Sequence, residues 1–268
     1  MRSGTKTNFT STFRGGCMGR LFTRIIFFVF GVLPAAAFAS PSRIISMPSP
    51  DTQPELTVRG DAQTSVRVSS ERKATSGPVA TNQSRDPGVT ILGVALGLPQ
   101  IWKLRSEIGV DYVTAGSETE ERSPATLHAK IVIPELALFE NSPAFAVGIS
   151  NYGPKTGKTD QNMTYGLLAA TFPSIGRISA GGFISAEHAV GPGGVESGVL
   201  ISLDRLLTER LWLGVDYIGG ENINSGLSAG VSYAFSKRVA LMAGYNLHTA
   251  RQYSGVDTVT IRASFTFF

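Results

Sequence analysis

LSAGVSYAF, residues 227–235, alternates an apolar or aromatic side chain with a small or polar one at nearly every step. The stretch VTIRASFTF, residues 259–267, shows the same alternation. A period of two residues is typical of a β-strand, whereas a helix gives a period near 3.6. One face of such strands is aliphatic and aromatic, and the other is small, polar or charged. The pattern therefore predicts a sheet whose two faces meet different environments.

The alternation recurs along the C-terminal part of the chain and predicts ten strands. They are residues 104–115, 125–134, 143–152, 162–172, 176–186, 196–204, 210–219, 226–236, 239–248 and 256–267. Each spans about nine to twelve residues, which is the length that a tilted strand needs to cross a bilayer. Every aromatic residue after residue 39 also lies in this part of the chain, between Trp102 and Phe268.

The connections between these strands alternate in length. Longer loops precede and follow the short turns 173–175, 205–209 and 236–238, with one exception at 135–142. Outer-membrane barrels have short periplasmic turns and longer outer loops. In this register aromatic residues collect at both strand ends, as they do at membrane interfaces. The predicted girdle residues are Tyr112, Tyr152, Tyr165, Tyr217 and Tyr245 near the outer ends, and Trp212, Tyr233, Phe265 and Phe267 near the periplasmic ends.

On these strands, loops and girdles the chain resembles small bacterial outer-membrane β-barrel proteins over residues 104–268. The resemblance implies an all-β fold, a closed antiparallel up-and-down transmembrane β-barrel, embedded in the lipid bilayer of the outer membrane. Phe268 resembles the terminal aromatic residue that the barrel-assembly machinery reads, although the apolar set of the last strand is one residue out of phase with it. We expect about ten strands, with twelve as the alternative.

The segment 89–103 leaves the strand count open. VTILGVALGL, residues 89–98, is long enough for a strand. An eleventh strand, however, would place the N-terminus and the C-terminus of the barrel on opposite sides of the membrane. This segment either pairs with a twelfth strand drawn from the preceding residues, or packs as a plug or periplasmic element.

The N-terminal residues predict export. Residues 1–39 contain five basic residues, no acidic residue and an apolar run that ends in Ala37-Phe38-Ala39, which is typical of a secretory signal peptide. Residues 40–88 are rich in Ser, Thr, Pro, Gln and Arg and contain no aromatic residue, so we expect a flexible low-complexity leader. The single cysteine, Cys17, lies in the predicted signal peptide.

The net charge of +4 comes from that N-terminal segment, because residues 40–268 hold 19 basic and 20 acidic residues. A near-neutral domain argues against nucleic acid as a partner. Charged residues instead fall on the polar faces of the predicted strands. The predicted lumen residues are Glu107, Asp111, His128, Lys130, Arg177, Asp216 and Arg262.

Strand pairing predicts that Asp111 lies opposite Lys130 and that Arg262 lies near Glu107. Such a network would fill and rigidify a narrow barrel, or line a small selective pore. The motif IGVDYV, residues 108–113, recurs as LGVDYI, residues 213–218. In both copies the Asp points inward and the Tyr outward.

Two other functions are compatible with a barrel. A lipid-modifying enzyme of the outer membrane would need a His beside a Ser at the rim. His188 follows Ser185 and His248 precedes Ser254, but neither spacing puts the pair on one strand face. A secreted soluble barrel with an apolar ligand would instead turn its apolar face inward. We expect no catalytic residues, metal or cofactor, and an outer-membrane protein with a structural or narrow-pore, transport-like role.

Overall fold

The computed structural model describes residues 42–68, 88–115, 125–153, 161–253 and 257–267. Within them the chain forms twelve strands and one short helix. The strands are β1 Val58–Arg67, β2 Val89–Gly97, β3 Arg105–Ala115, β4 Ala125–Ile133, β5 Ala144–Tyr152, β6 Met163–Phe172, β7 Gly176–Ser185, β8 Ser197–Leu206, β9 Leu211–Ile218, β10 Gly226–Ala234, β11 Val239–His248 and β12 Thr258–Thr266. The helix α1, Glu187–Val190, lies between β7 and β8.

The strands form one closed antiparallel barrel in which each pairs with its neighbours in the chain. Closure comes from β12, which pairs with β1 in a register that places Val259 beside Val66 and Thr266 beside Arg59. Because β1 also pairs with β2, the backbone polar groups of β1 face a partner strand on both sides. No helix in the described part of the chain is long and apolar enough to cross a membrane.

The barrel has twelve strands. The expected number of about ten was therefore too low, and the alternative of twelve is confirmed. The ten predicted strands are present as β3 to β12. The segment that left the count open contains β2, which pairs with β1 and β3, and it is neither a plug nor a separate periplasmic element.

The expectation of a flexible leader over 40–88 is wrong for residues 42–68. Residues 58–67 form β1, and the residues before them lie inside the barrel. Low apolar content does not prevent this order, because the ladders to β2 and β12 hold β1 through its backbone. The predicted signal peptide, residues 1–39, and Phe268 lie outside the described residues, so export and recognition by the assembly machinery stay predictions.

The barrel turns its apolar side chains outward. Outward positions carry exposed aliphatic residues, such as Val94, Val199 and Ile261, each about half exposed. Inward positions of the same strands carry buried polar residues, including Ser202 and Thr260. A water-soluble barrel would have the opposite arrangement, so the alternative of a secreted carrier of an apolar ligand is wrong.

The two ends of the barrel differ. Three-residue and four-residue connections, 173–175, 207–210 and 235–238, lie at one end, which we call the short-turn end. The connections 98–104 and 134–143 are the longer exceptions at this end, and the second of them was predicted from the sequence. The first residue of β1, Val58, and the last residue of β12, Thr266, both lie at the short-turn end because the strand number is even.

Most predicted girdle residues lie on the outer face. Tyr112, Tyr152, Tyr245, Tyr233, Phe265 and Phe267 are all exposed, and Tyr217 is partly exposed in line with the outward Val215. Tyr152 faces outward because a bulge, with Asn151 at φ 54°, lets two residues of β5 oppose His128 of β4.

Two girdle predictions are wrong. Tyr165 and Trp212 are buried inside the barrel. The ring of Tyr165 lies where a side chain on its cross-strand neighbour Gly148 would be, and the indole of Trp212 likewise covers Gly214. Glycine at these two inward positions makes room for an aromatic ring in the lumen. The presence of an aromatic residue near a strand end does not by itself show that its ring points outward.

The outward face can be tested with a pair of lysine substitutions. Ile261 faces lipid near the middle of β12, whereas Ser65 on the adjoining strand faces the lumen. Ile261→Lys should lose about 2–4 kcal/mol of folding free energy in a bilayer. Ser65→Lys should fold and insert like the parent chain, as measured by heat-modifiable mobility in gel electrophoresis. Equal behaviour of the two variants would contradict the register.

A deletion tests the twelfth strand. Removing residues 58–67 takes away the partner of both β2 and β12, and unpaired backbone groups in hydrocarbon cost several kcal/mol each. We expect this variant to fail to form a protease-resistant barrel in membranes. A variant that lacks residues 42–53 but keeps β1 is the control and should form one. A resistant barrel without residues 58–67 would show that β1 is not needed for closure.

Candidate functional site

The lumen is occupied by the chain itself. Residues 42–53, which we call the lumen segment, lie within the ring of strands, and residues 54–57 connect them to β1. Ile44, Ile45 and Met47 of this segment are almost completely buried. They belong to a hydrophobic cluster that includes inward residues of β6, β8 and β11, among them Leu167 and Leu200. The barrel therefore has a small apolar core in its interior, separate from the apolar outer face.

The lumen segment begins with a tight loop. The amide of Ile44 donates to the carbonyl of Met47 at 2.9 Å, and the amide of Ser49 donates to the carbonyl of Ser42 at 3.2 Å. Residues 44–47 form the tip of this loop. Their remaining backbone groups point away from the loop and need partners from the barrel wall.

Asp216 of β9 supplies one set of partners. Its Oδ2 accepts hydrogen bonds from the amides of Ile45 at 2.7 Å, Ser46 at 2.8 Å and Met47 at 3.3 Å. Three successive amides converging on one oxygen form an anion-binding concavity of the backbone. The buried carboxylate is thereby compensated by the tip of the loop.

Arg262 of β12 binds the carbonyl groups of the loop tip. Its Nη2 donates to the carbonyl of Ile45 at 2.6 Å, and its Nη1 lies 3.5 Å from the carbonyl of Ile44. Its Nε donates to Oε1 of Gln63 on β1 at 2.9 Å. The guanidinium therefore links the loop tip to the strand pair that closes the barrel.

A second group of contacts holds the segment nearer the short-turn end. Lys130 of β4 donates to the carbonyl of Ser49 at 3.1 Å and forms an ion pair with Glu107 of β3 at 3.4 Å. Glu107 also accepts a hydrogen bond from the amide of Gln53 at 2.8 Å. Both charged side chains are almost fully buried. Their pairing offsets the cost of burial, and each also binds the backbone of the segment.

Two ion pairs involve side chains of the lumen segment. Arg43 pairs with Asp111 of β3 at 2.9 Å, and the imidazole of His128 lies 3.5 Å from the same carboxylate oxygen. Asp51 pairs with Arg177 of β7 at 2.7 Å.

Arg177 also contacts the wall residue Asp204 at 3.3 Å. Asp204 in turn accepts a hydrogen bond from the indole of Trp212 at 3.2 Å. The short-turn half of the lumen thus contains a continuous network from the segment to β9.

The structure places all seven predicted lumen residues inside the barrel. The predicted pairs are not formed. Glu107, not Asp111, lies opposite Lys130, and Asp111 lies opposite Thr126, four residues away along β4. Arg262 pairs across the barrel seam with Gln63 rather than with Glu107, because β12 closes on β1.

Sequence reasoning missed the partners of these residues. Arg43, Asp51 and Gln63 fell in the predicted leader. Asp204 occupies an inward position of a predicted strand, so the period of two could have identified it. The apolar run Ile44-Ile45 with Met47 was the signal that the leader contains a buried segment.

Packing against glycines fixes the side chain of Ile45. A Cβ built on Gly244 would lie 2.9 Å from its Cγ2, and one on Gly230 would lie 3.2 Å from its Cδ1. Both glycines are on inward positions of β10 and β11. The wall is therefore shaped to receive this side chain.

A cavity of about 430 Å³ adjoins the loop tip. Its size is within the range of ligand pockets, about 300–1,000 Å³. All three histidines of the chain, His128, His188 and His248, line the cavity. Arg43 and Arg262 line it as well. Among the described residues, no three His, Cys, Asp or Glu side chains are arranged to hold a metal ion.

The histidines bear on the enzyme alternative. A general base that acts on a lipid ester must reach the lipid phase together with its nucleophile. His188 and His248 line the lumen cavity instead, and Ser254 lies outside the described residues. The geometry of the described residues does not favour a lipid-modifying site.

Solved structures of similar fold are outer-membrane proteins. An outer membrane channel from Pseudomonas putida matches with a TM-score of 0.50 at 12% identity, over 81% of this chain and 97% of that chain. The KdgM porin matches with a TM-score of 0.45 at 10% identity, over 78% and 99%. An outer membrane protein from Acinetobacter baumannii matches with a TM-score of 0.42 at 13% identity, over 80% and 99%.

No protein-family model matches the chain, and a search of curated proteins finds no match either. The first structural likeness concerns the fold alone. Together with the closed barrel and its apolar outer face, it identifies the chain as an integral β-barrel protein of the bacterial outer membrane. The short-turn end is then the periplasmic end.

The role of Asp216 in holding the loop tip can be tested by thiol labelling. The predicted mature chain has no cysteine, so Ile45→Cys introduces a single buried thiol. Hydrogen bonds to a charged group contribute about 1.5–3 kcal/mol, so Asp216→Ala should speed labelling by a water-soluble maleimide about tenfold or more.

Ser202→Ala is the matched control for this experiment. Ser202 lies directly across from Asp216 on β8, and its buried hydroxyl has no hydrogen-bond partner within the described residues. Labelling in this background should stay at the parent rate. The assignment is wrong if Asp216→Ala and Ser202→Ala give the same rate.

Proposed function

We propose that this protein is a narrow outer-membrane channel whose lumen is closed by its own lumen segment. The proposal rests on what fills the lumen. Barrels of about eight strands are filled by the side chains of their own walls, and those of about sixteen leave a wide channel. A barrel of twelve strands lies between these sizes, so its interior depends on what the wall positions carry.

The wall positions of this barrel carry many small residues. Glycine or serine occupies inward positions on most strands, among them Ser179, Ser228, Gly230, Ser232 and Gly244. Such side chains leave space along the axis rather than fill it. The space is taken by the lumen segment, which, among the described residues, is joined to the wall through β1 on its C-terminal side.

The contacts that hold the segment against the wall are non-covalent. They are hydrogen bonds, ion pairs and a small apolar contact area, and water and mobile ions can replace the polar partners when the segment leaves. A wall with polar groups and small side chains would then remain as a hydrated path. The occupancy of the lumen by a segment held through non-covalent contacts is the observation that carries the proposal.

Conductance of a cross-linked variant tests the proposal. Ile45 and Gly244 lie close enough for a disulfide, and the predicted mature chain has no other cysteine. In planar bilayers, the oxidised Ile45→Cys/Gly244→Cys variant should show no channel openings. Reduction should restore the openings of the parent chain.

Two controls define the outcome. Ile45→Cys alone should not respond to oxidant, and a variant that lacks residues 42–53 should conduct steadily at a level at least about tenfold above the mean current of the parent. A folded deletion variant that stays silent would overturn the channel proposal and favour a structural role.

A further inference from the structure

We propose that the lumen is a binding site for short peptides and that the lumen segment occupies it as a tethered ligand. This inference rests on the proposed channel function and names its substrate class. It comes from the wall residues that contact the segment. Their hydrogen bonds go to the backbone of the segment more than to its side chains.

The contacts to the backbone use both kinds of peptide group. Asp216 and Glu107 accept hydrogen bonds from amides of the segment, and Arg262 and Lys130 donate to its carbonyls. A peptide is the polymer that presents amide donors and carbonyl acceptors in alternation. Oligosaccharides present hydroxyl groups, each of which both donates and accepts, so they do not require donors and acceptors of the wall in a fixed order. The wall is therefore complementary to a peptide main chain.

These four residues are distributed along the lumen. Glu107 and Lys130 contact residues 49–53 nearer the periplasmic end, whereas Asp216 and Arg262 contact residues 44–47 further in. Backbone recognition thus extends over about ten residues of the segment, in the manner of a site for an extended or turned peptide. A single local contact would not have this reach.

Polar contacts to the side chains of the segment are fewer than those to its backbone. The ion pairs of Arg43 and Asp51 and the hydroxyl contacts of Ser46 are the specific ones beside the apolar packing of the tip. The cavity of about 430 Å³ next to the tip offers further space with polar and histidine side chains. A peptide of different sequence can use the same four backbone-binding residues and this space.

The tether explains why the site is filled by the chain itself. A segment joined to the wall through a short connection has an effective concentration in the millimolar range. Free peptides at lower concentration therefore bind only when the segment is absent or displaced. The full chain should bind added peptide at least about 100-fold more weakly than a chain without residues 42–53.

Binding of dye-labelled peptides to the detergent-purified variant lacking residues 42–53 tests the inference by fluorescence anisotropy. The probes are the peptide SRIISMPSPDTQ, residues 42–53, and an unrelated peptide of Ala, Ser and Gly of equal length. Both should bind, and the unrelated peptide should bind more weakly because it lacks the apolar side chains of Ile44, Ile45 and Met47 that the lumen buries. N-methyl groups on the amides of residues 45–47 should weaken binding at least about tenfold, as should Asp216→Asn in the variant.

A full-length variant covers the case in which the deletion does not fold. Ile45→Pro/Met47→Pro removes two of the three amides that Asp216 binds, so the segment should leave its site while the chain keeps its length. This variant should bind the same peptides. Heat-modifiable gel mobility establishes that each variant is folded.

Each outcome decides the inference. It is overturned if neither peptide binds a folded variant, if the N-methylated peptide binds as well as the parent peptide, or if only the cognate sequence binds. Competition by a linear oligosaccharide at equal or lower concentration also overturns it. Because anisotropy does not depend on current, peptide binding by a variant that never conducts would refute the channel proposal separately from this one.

Discussion

The closed state of the lumen depends on the pairing of buried charges of the barrel wall with the backbone of the lumen segment. A carboxylate or guanidinium without partners in a barrel interior is costly, and small wall residues cannot compensate it. Asp216 finds three amides, and Arg262 finds two carbonyls of the same loop. The wall and the segment thus satisfy each other, and the occupied lumen follows from this need.

The position of β1 complements this pairing. The strand begins at Val58 and is fixed in the wall between β2 and β12, so it holds the C-terminal end of the lumen segment at the entrance to the lumen. The two copies of the Gly-Val-Asp-Tyr motif serve the same end. Asp111 binds Arg43 of the segment, and Asp216 binds its loop tip, so each repeated strand supplies one carboxylate to the lumen.

Much of the wall could be predicted from the sequence, because a lipid-facing strand must alternate. The strands β3 to β12 follow from that period, and so do the inward positions of all seven predicted lumen residues. The strand β1 was predicted only as an alternative and without bounds, because its outward residues include Gly60, Ala62 and Thr64, which give no apolar alternation. The charge pairs and the lumen segment could not be predicted because they depend on hairpin register and on closure, which are properties of the whole barrel.

Amide hydrogen exchange of residues 44–53 in the barrel, reconstituted in lipid nanodiscs, tests the central claim most directly. The account predicts that the amides of Ile45, Ser46 and Gln53 exchange at least about 100-fold more slowly than in the free peptide, since each is hydrogen-bonded within the lumen. Exchange at the rate of the free peptide in a folded barrel would contradict an occupied lumen.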